Sequence, residues 1–147
     1  MATAYAIPKF HFVVEFGGSE FNCTEVSGLG FETEIIEYRG GADKKFHKTK
    51  QAGLRKYGNI TGKRGTFEDT SKEFYDQWAK TVYYQEKGDQ YRGDLTIKLL
   101  DEAGSPVVTW QATNTFISKL TSTDLKADAN EVAIETVEWV IEELIIQ

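Results

Sequence analysis

The chain has 147 residues, a length that suits one domain and allows a core without covalent staples. A single cysteine, Cys23, excludes an internal disulfide and fits a reducing compartment. The opening Met-Ala-Thr-Ala-Tyr-Ala-Ile-Pro has neither the basic region nor the apolar run of a signal peptide, and no stretch approaches the ~18 apolar residues of a membrane span. The chain therefore reads as cytoplasmic, or as exported without an N-terminal signal. Its net charge of −6 conceals a segregation: residues 41–65 carry eight basic side chains against Asp43 alone, whereas 1–40 balance to −4 and 66–147 to −9. Such a basic segment can meet nucleic acid, or an acidic surface on another copy of the same chain.

Strand signals dominate from the start. Phe10, Phe12, Val14 and Phe16 alternate with His11, Val13 and Glu15, the period of a half-buried strand. Gly17-Gly18-Ser19 predicts a hairpin turn into a second strand over residues 20–27. The run Phe31 to Arg39 alternates less cleanly. Ile35 and Ile36 point to opposite faces, as do Glu34 and Glu37, so it is either an edge strand or a strand that touches protein on both sides. Residues 40–56 form an extended basic loop by this reading, long enough to suggest a function of its own. A weaker strand resumes over Tyr57 to Lys63, interrupted by Gly58 and Gly62.

One helix is expected at about 71–87. Thr70-Ser71-Lys72-Glu73 makes a capping box, Phe74, Trp78 and Val82 recur at helical spacing beside Tyr75, Ala79 and Tyr83, and Gly88 supplies a stop. That aromatic stripe reads as core packing. Strands return with Leu95, Ile97 and Leu99, a turn at Ala103-Gly104-Ser105, and a partner strand marked by Val108, Trp110, Ala112 and Phe116. Residues 131–144 are ambiguous. Ala133, Val137, Val140 and Leu144 fit a helical face opposite Glu131, Glu135, Glu138 and Glu142, but the abundance of Val, Ile and Thr favours a strand.

No catalytic, cofactor or metal constellation emerges, so the chain reads as a structural protein and not an enzyme. His11 and His47 stand in no metal-ligand spacing with each other or with Cys23. Cys23 has no cationic neighbour in sequence and reads as a small buried hydrophobe. Gly58-Asn59-Ile60-Thr61-Gly62-Lys63-Arg64 fails as a phosphate loop: its glycines enclose three residues where four are needed, and Arg64 stands where a Mg²⁺-binding hydroxyl belongs. Nucleic-acid binding by the basic segment would call for interleaved aromatics, and Phe46 and Tyr57 are the aromatics there.

Four blocks in order carry a resemblance. Pro8 to Gly18 resembles the opening strand of tail tube proteins from contractile phages and phage-tail-like injection systems. Thr24 to Leu29 with Glu32 to Arg39 is a more specific match. Lys56 to Thr61 with Lys63-Arg64-Gly65 is the third block, and Ser122 to Asp128 with Asn130 to Glu135 the fourth. Gly62 departs from the pattern, which has an apolar strand residue there. The resemblance spans Pro8 to about Trp139. It implies a mainly β fold, an antiparallel sandwich or barrel-like domain over 1–147 with one flanking helix, and it makes 131–144 a strand. It also implies an inner-tube subunit whose copies close into six-membered rings. The rings stack into a hollow tube that a contracting sheath drives through a target envelope.

The expected partners are the chain itself, the sheath protein, baseplate and terminator proteins, and cargo in the lumen, with no membrane anchor, cofactor or metal. Assembly is expected in the bacterial cytoplasm, in a phage tail or injection particle. Type VI haemolysin-coregulated proteins would be structural cousins. Glu32, Glu34, Ile36, Tyr38, Asn59 and Thr61 are the candidates for strands shared between subunits along the lumen. Lys44, Lys45, Lys48, Lys50 and Arg55 are the candidates for contact between rings. A tube-capping or baseplate paralogue and a small nucleic-acid-binding β module are the alternatives.

Overall fold

The computed structural model describes residues 11–42, 44–65, 73–79, 92–123, 125–128 and 132–147. The chain is mainly β. Its strands are β1 (Phe12–Phe16), β2 (Ser19–Phe21), β3 (Glu25–Ser27), β4 (Glu32–Tyr38), β5 (Thr49–Lys56), β6 (Ile60–Gly65), β7 (Gly93–Leu100), β8 (Pro106–Ser122), β9 (Ile134–Val140) and β10 (Glu143–Ile146). Helix α1 covers Glu73–Ala79. The cap at Thr70-Ser71-Lys72 and the stop at Gly88 lie outside the described residues.

Two antiparallel sheets share β8. The first runs β2-β1-β7-β8, with β10 on the far flank of β8; the second runs β8-β9-β6-β3. The expected hairpin at Gly17-Gly18 is present. Both glycines take positive φ (62° and 85°), which matches the right-handed twist of the strands they join. The expected second strand over 20–27 is two strands instead, β2 in the first sheet and β3 in the second.

Strand β8 serves both sheets because its alternation changes phase midway. Asn114 adopts φ 49°, and the buried positions move from Ala112 before it to Thr115 and Ile117 after it. Phe116, an even number of residues from Val108, Trp110 and Ala112, therefore falls on the other face. Within 131–144, Ile134–Val140 is strand, as the resemblance implies, and after a break at Ile141–Glu142 the strand β10 (Glu143–Ile146) continues along the same flank of β8; residue 131 lies outside the described residues. The helical alternative fails because Glu135, Val137 and Trp139 are buried at every second position.

The core lies between the sheets. Val14, Phe16, Leu95 and Ile97 come from the first sheet, and Ile60, Ile117, Val137 and Trp139 from the second, with Phe74 of α1 packed beside Phe21. Burial of a large side chain contributes roughly 1.5–3 kcal/mol. Trp139 is fully buried, its ring edge-on to Phe74 at 5.8 Å and tilted against Phe16 at 6.3 Å.

Trp139 also accounts for Gly62. A Cβ at position 62 would stand 2.6 Å from Trp139 Cζ3. The strand itself is regular, with Gly62 paired to Val26 on one side and Val137 on the other. The apolar volume missing at 62 is supplied by the indole of 139. Gly62→Val should then cost about 1–3 kcal/mol through overpacking. Chemical denaturation should show Gly62→Val combined with Trp139→Leu to be more stable than the sum of the two single losses. Strict additivity would refute the exchange of volume.

Candidate assembly surface

Strands β4 and β5 form a two-stranded sheet that leaves the body of the protein. They continue a hairpin that starts within it. Glu25 pairs with Lys63 in the second sheet, and seven residues on in one strand and seven back in the other, Glu32 pairs with Lys56 in the arm. The two pairings share one register. Between them the chain turns at Gly28, which has φ 91° and lies so close to the backbone oxygen of Asn59 that a Cβ would be 2.3 Å from it. Phe31 and Tyr57 meet edge-on at 6.4 Å across the base. Beyond Thr33 the register shifts by one residue beside Gly53, whose missing side chain leaves room for the Glu34 carbonyl and Ile36.

Both faces of this arm are open. Ile35, Ile36, Tyr38 and Leu54 are 57%, 52%, 71% and 78% exposed. A lone two-stranded hairpin is marginally stable in water at best. An arm with apolar residues exposed on both faces has an unmet demand for packing.

The basic candidates sit at the arm's end and along one strand. Of the expected loop at 40–56, Thr49–Lys56 is strand β5, because Thr49, Lys50, Gln51 and Ala52 pair with Tyr38, Glu37, Ile36 and Ile35. Sequence periodicity missed it because its residues are exposed on both faces and carry no apolar alternation. Lys50 and Arg55 thus project from β5, while Lys44, Lys45 and Lys48 belong to the connection. Lys48 Nζ donates to Glu37 Oε2 at 3.2 Å, and the Arg39 guanidinium lies 6.0 Å over the exposed Phe46 ring.

The lumen candidates divide between two places. Glu32, Glu34, Ile36 and Tyr38 lie on β4 in the arm, whereas Asn59 and Thr61 lie at and in β6 of the second sheet. Asn59 Nδ2 donates to Glu138 Oε1 at 2.6 Å. That sheet has two open edges among the described residues. Strand β3 pairs only with β6, and Phe116–Ser122 of β8 pairs with β9 but takes no strand on the opposite flank, since β7 stops at Thr115. Because all its pairings are antiparallel, β3 and β8 run in opposite directions.

A buried ion cluster went unread in the sequence. Arg64, counted there with the basic segment, is 3% exposed. Its Nε donates to Glu135 Oε2 and its Nη1 to Glu73 Oε2, both at 3.0 Å, and its guanidinium stacks 3.9 Å from the Phe74 ring centroid. This ties α1 to β6 and β9. The alternation of Ile60, Gly62 and Arg64 was the available signal, since it places Arg64 on the inner face.

Arg64 also acts on Cys23. Burial pushes the thiol up to about 11 from 9.0, outweighing the pull of the Arg64 charge in the other direction. The sequence alone gave Cys23 no cationic neighbour; the fold supplies one, too weak to activate the thiol. At neutral pH the thiolate is therefore scarcer than in an unfolded chain. Among the described residues, no group of three His, Cys, Asp or Glu side chains could hold a metal ion.

An antiparallel β domain with a projecting two-faced hairpin and open sheet edges is the class this geometry defines. The chain belongs to the T4-like virus tail tube protein gp19 family, whose profile matches residues 8–145. It is similar to a chain in the tube-terminating cap of the anti-feeding prophage, with 30% identity and a TM-score of 0.85 over 100% of this chain and 94% of that one. It is equally similar in sequence, at 30%, to a chain in the extended sheath–tube complex of the extracellular contractile injection system PVC, with a TM-score of 0.83 over 97% and 92%. Hcp1 from Flavobacterium johnsoniae shares the fold at 11% identity, with a TM-score of 0.53 over 92% of this chain and 93% of that one. No curated protein matches by sequence.

The raised Cys23 value sets an expectation. Iodoacetamide at pH 8 should alkylate the folded chain at least tenfold more slowly than the chain in urea. Stability should fall as pH rises from 9 towards 11, because the unfolded thiol ionises first. Equal alkylation rates in the two states would show the thiol to be unperturbed.

Proposed function

We propose that this chain is an inner-tube subunit of a contractile injection system or phage tail. Its copies close into six-membered rings, the rings stack into a hollow tube, and a contracting sheath drives the tube through a target envelope. The observation that carries this reading is the arm, β4–β5, exposed on both faces and apolar on both. A second copy satisfies it, and the family supplies the setting.

Two heterologous contacts are needed, one that closes and one that does not. Ring closure uses the second sheet. Its open edges, β3 and the end of β8, run in opposite directions, so β3 of one subunit beside β8 of the next extends the antiparallel order and removes both free edges. The arm then lies against the neighbour, with Glu32, Glu34, Ile36 and Tyr38 on one of its faces, while Asn59 and Thr61 face the lumen. Stacking uses Lys44, Lys45, Lys48, Lys50 and Arg55 against acidic residues of the next ring. Each exposed pair contributes about 0–1 kcal/mol, so the charges set register and steer docking more than they hold the tube. Sheath, baseplate and terminator proteins are the remaining partners, and assembly takes place in the bacterial cytoplasm.

The similarity to a chain in a tube-terminating cap favours a second reading, in which the protein forms a ring at the tube's end. Electron microscopy separates the two: long tubes of uniform bore support the tube subunit, whereas single rings at every concentration support the cap. In the first case, Lys44→Glu, Lys45→Glu and Lys48→Glu together should leave folding intact and abolish tubes. Long tubes from that triple variant would remove the basic connection from the stacking contact. Rising salt should shorten tubes before it unfolds subunits.

A further inference from the structure

The outer face of the second sheet has a charge pattern that its register makes readable. Two rows of side chains cross the middle of its strands, between the Gly65–Ile134 pair at one end and the Phe116–Val140 pair at the other. One row runs Glu25, Lys63, Thr136, Thr121, and the next runs Ser27, Thr61, Glu138, Lys119. These positions alternate with Val26, Gly62, Arg64, Glu135, Val137 and Trp139, which face inward. Thr61, Lys63, Lys119, Thr121, Thr136 and Glu138 border one shallow depression, so they share a surface in space as well as in register.

Each row holds one carboxylate, one ammonium and two hydroxyls. Lys63 Nζ stands 3.8 Å from Glu25 Oε2, and Glu138 lies opposite Lys119. In both rows the opposite charges are on adjacent strands, about 4.8 Å apart. Charges alternating at that spacing cancel within a distance similar to the spacing, shorter than the ~8 Å over which physiological salt screens. Neither row contains an aromatic ring on which bases could stack, and each lysine, the group that would track a phosphate backbone, has a carboxylate on the adjacent strand. Neither contains an apolar side chain, so the rows offer nothing for a hydrophobic segment to adhere to. This is unlike the rest of the chain, which is acidic overall with one basic segment.

We infer that this face is a charge-balanced, non-adhesive wall, suited to water-soluble polypeptide cargo of either charge and unsuited to retaining nucleic acid. The inference rests on the reading that the second sheet lines the lumen. Repetition around a ring leaves each row neutral, because every subunit adds one charge of each sign to it. Cargo is then selected by bore and hydrophilicity, not by sign.

The test uses assembled tubes at low salt, where electrostatic capture is greatest. A fluorescent single-stranded oligonucleotide and fluorescent polyglutamate are the probes, and co-sedimentation with tubes is the readout. Wild-type tubes should retain less than a tenth of what Glu25→Gln/Glu138→Gln tubes retain, since that variant leaves two uncompensated lysines per subunit. Equal retention would overturn the inference. If the double variant does not assemble, Glu138→Gln alone should still raise retention severalfold, and no rise would overturn it equally.

A separate arm tests the wall itself. Thr136→Cys in a Cys23→Ser chain should react with a small maleimide in tubes. It should be protected, relative to free subunits, from a maleimide conjugate larger than the bore seen by microscopy. Equal access for the large conjugate would place the face outside. That result refutes the lumen assignment without bearing on the charge balance, whereas nucleic-acid retention with the large conjugate excluded refutes the charge balance alone.

Discussion

Everything in this molecule depends on where backbone hydrogen bonding is completed and where it is left open. A strand inside a sheet has partners on both flanks, and a strand at an edge presents a row of free donors and acceptors. In the body, β1, β7, β9 and β6 are each paired on both sides. Among the described residues the exceptions are β2, β3 and β10, each paired on one flank, the far half of β8, and an arm whose two strands have only each other. A monomer that leaves so much unpaired, and exposes Ile35, Ile36, Tyr38 and Leu54 beside it, is built to be completed by its neighbours. The ring closure and stacking proposed above rest on that constraint more than on any single residue.

The body must be firm enough to hold those edges in place, and its interior shows how. Trp139 fills the gap left by Gly62 and braces β6 against β9. Arg64 then fixes the helix, holding Glu135 and Glu73 while stacking on Phe74. An arginine this deep is costly without partners, and removing one member of such a cluster typically costs about 3–5 kcal/mol. The cluster and the tryptophan lie on the same two strands whose outer faces carry the neutral rows. One side of this layer is thus locked by packing and a buried ion cluster, while the other presents hydroxyls and balanced charge.

Charge is distributed by role. The arm and its end collect basic side chains on an acidic protein. The outer face of the second sheet has no such bias. The proposed tube would use both properties, attachment between subunits and indifference towards what passes through them.

The sequence by itself determined the β class, the Gly17-Gly18 turn, the β7–β8 hairpin and the presence of a helix through Phe74 and Trp78, because these are local signals of period and turn chemistry. The family blocks added the strand at 131–144, which period alone left undecided. The tertiary structure decided the rest. Strand β5 was invisible to periodicity, since a strand exposed on both faces has no apolar alternation. The phase change at Asn114, which moved Phe116 to the other face, is a property of one backbone angle. Gly62 looked like a defect until Trp139 was placed against it, 77 residues further along the chain. Arg64 counted as surface charge until the fold set it between Glu135 and Glu73. Sequence reads what neighbours along the chain impose on one another; which edges remain open, and which charges are buried, depend on residues that meet only when the chain has folded.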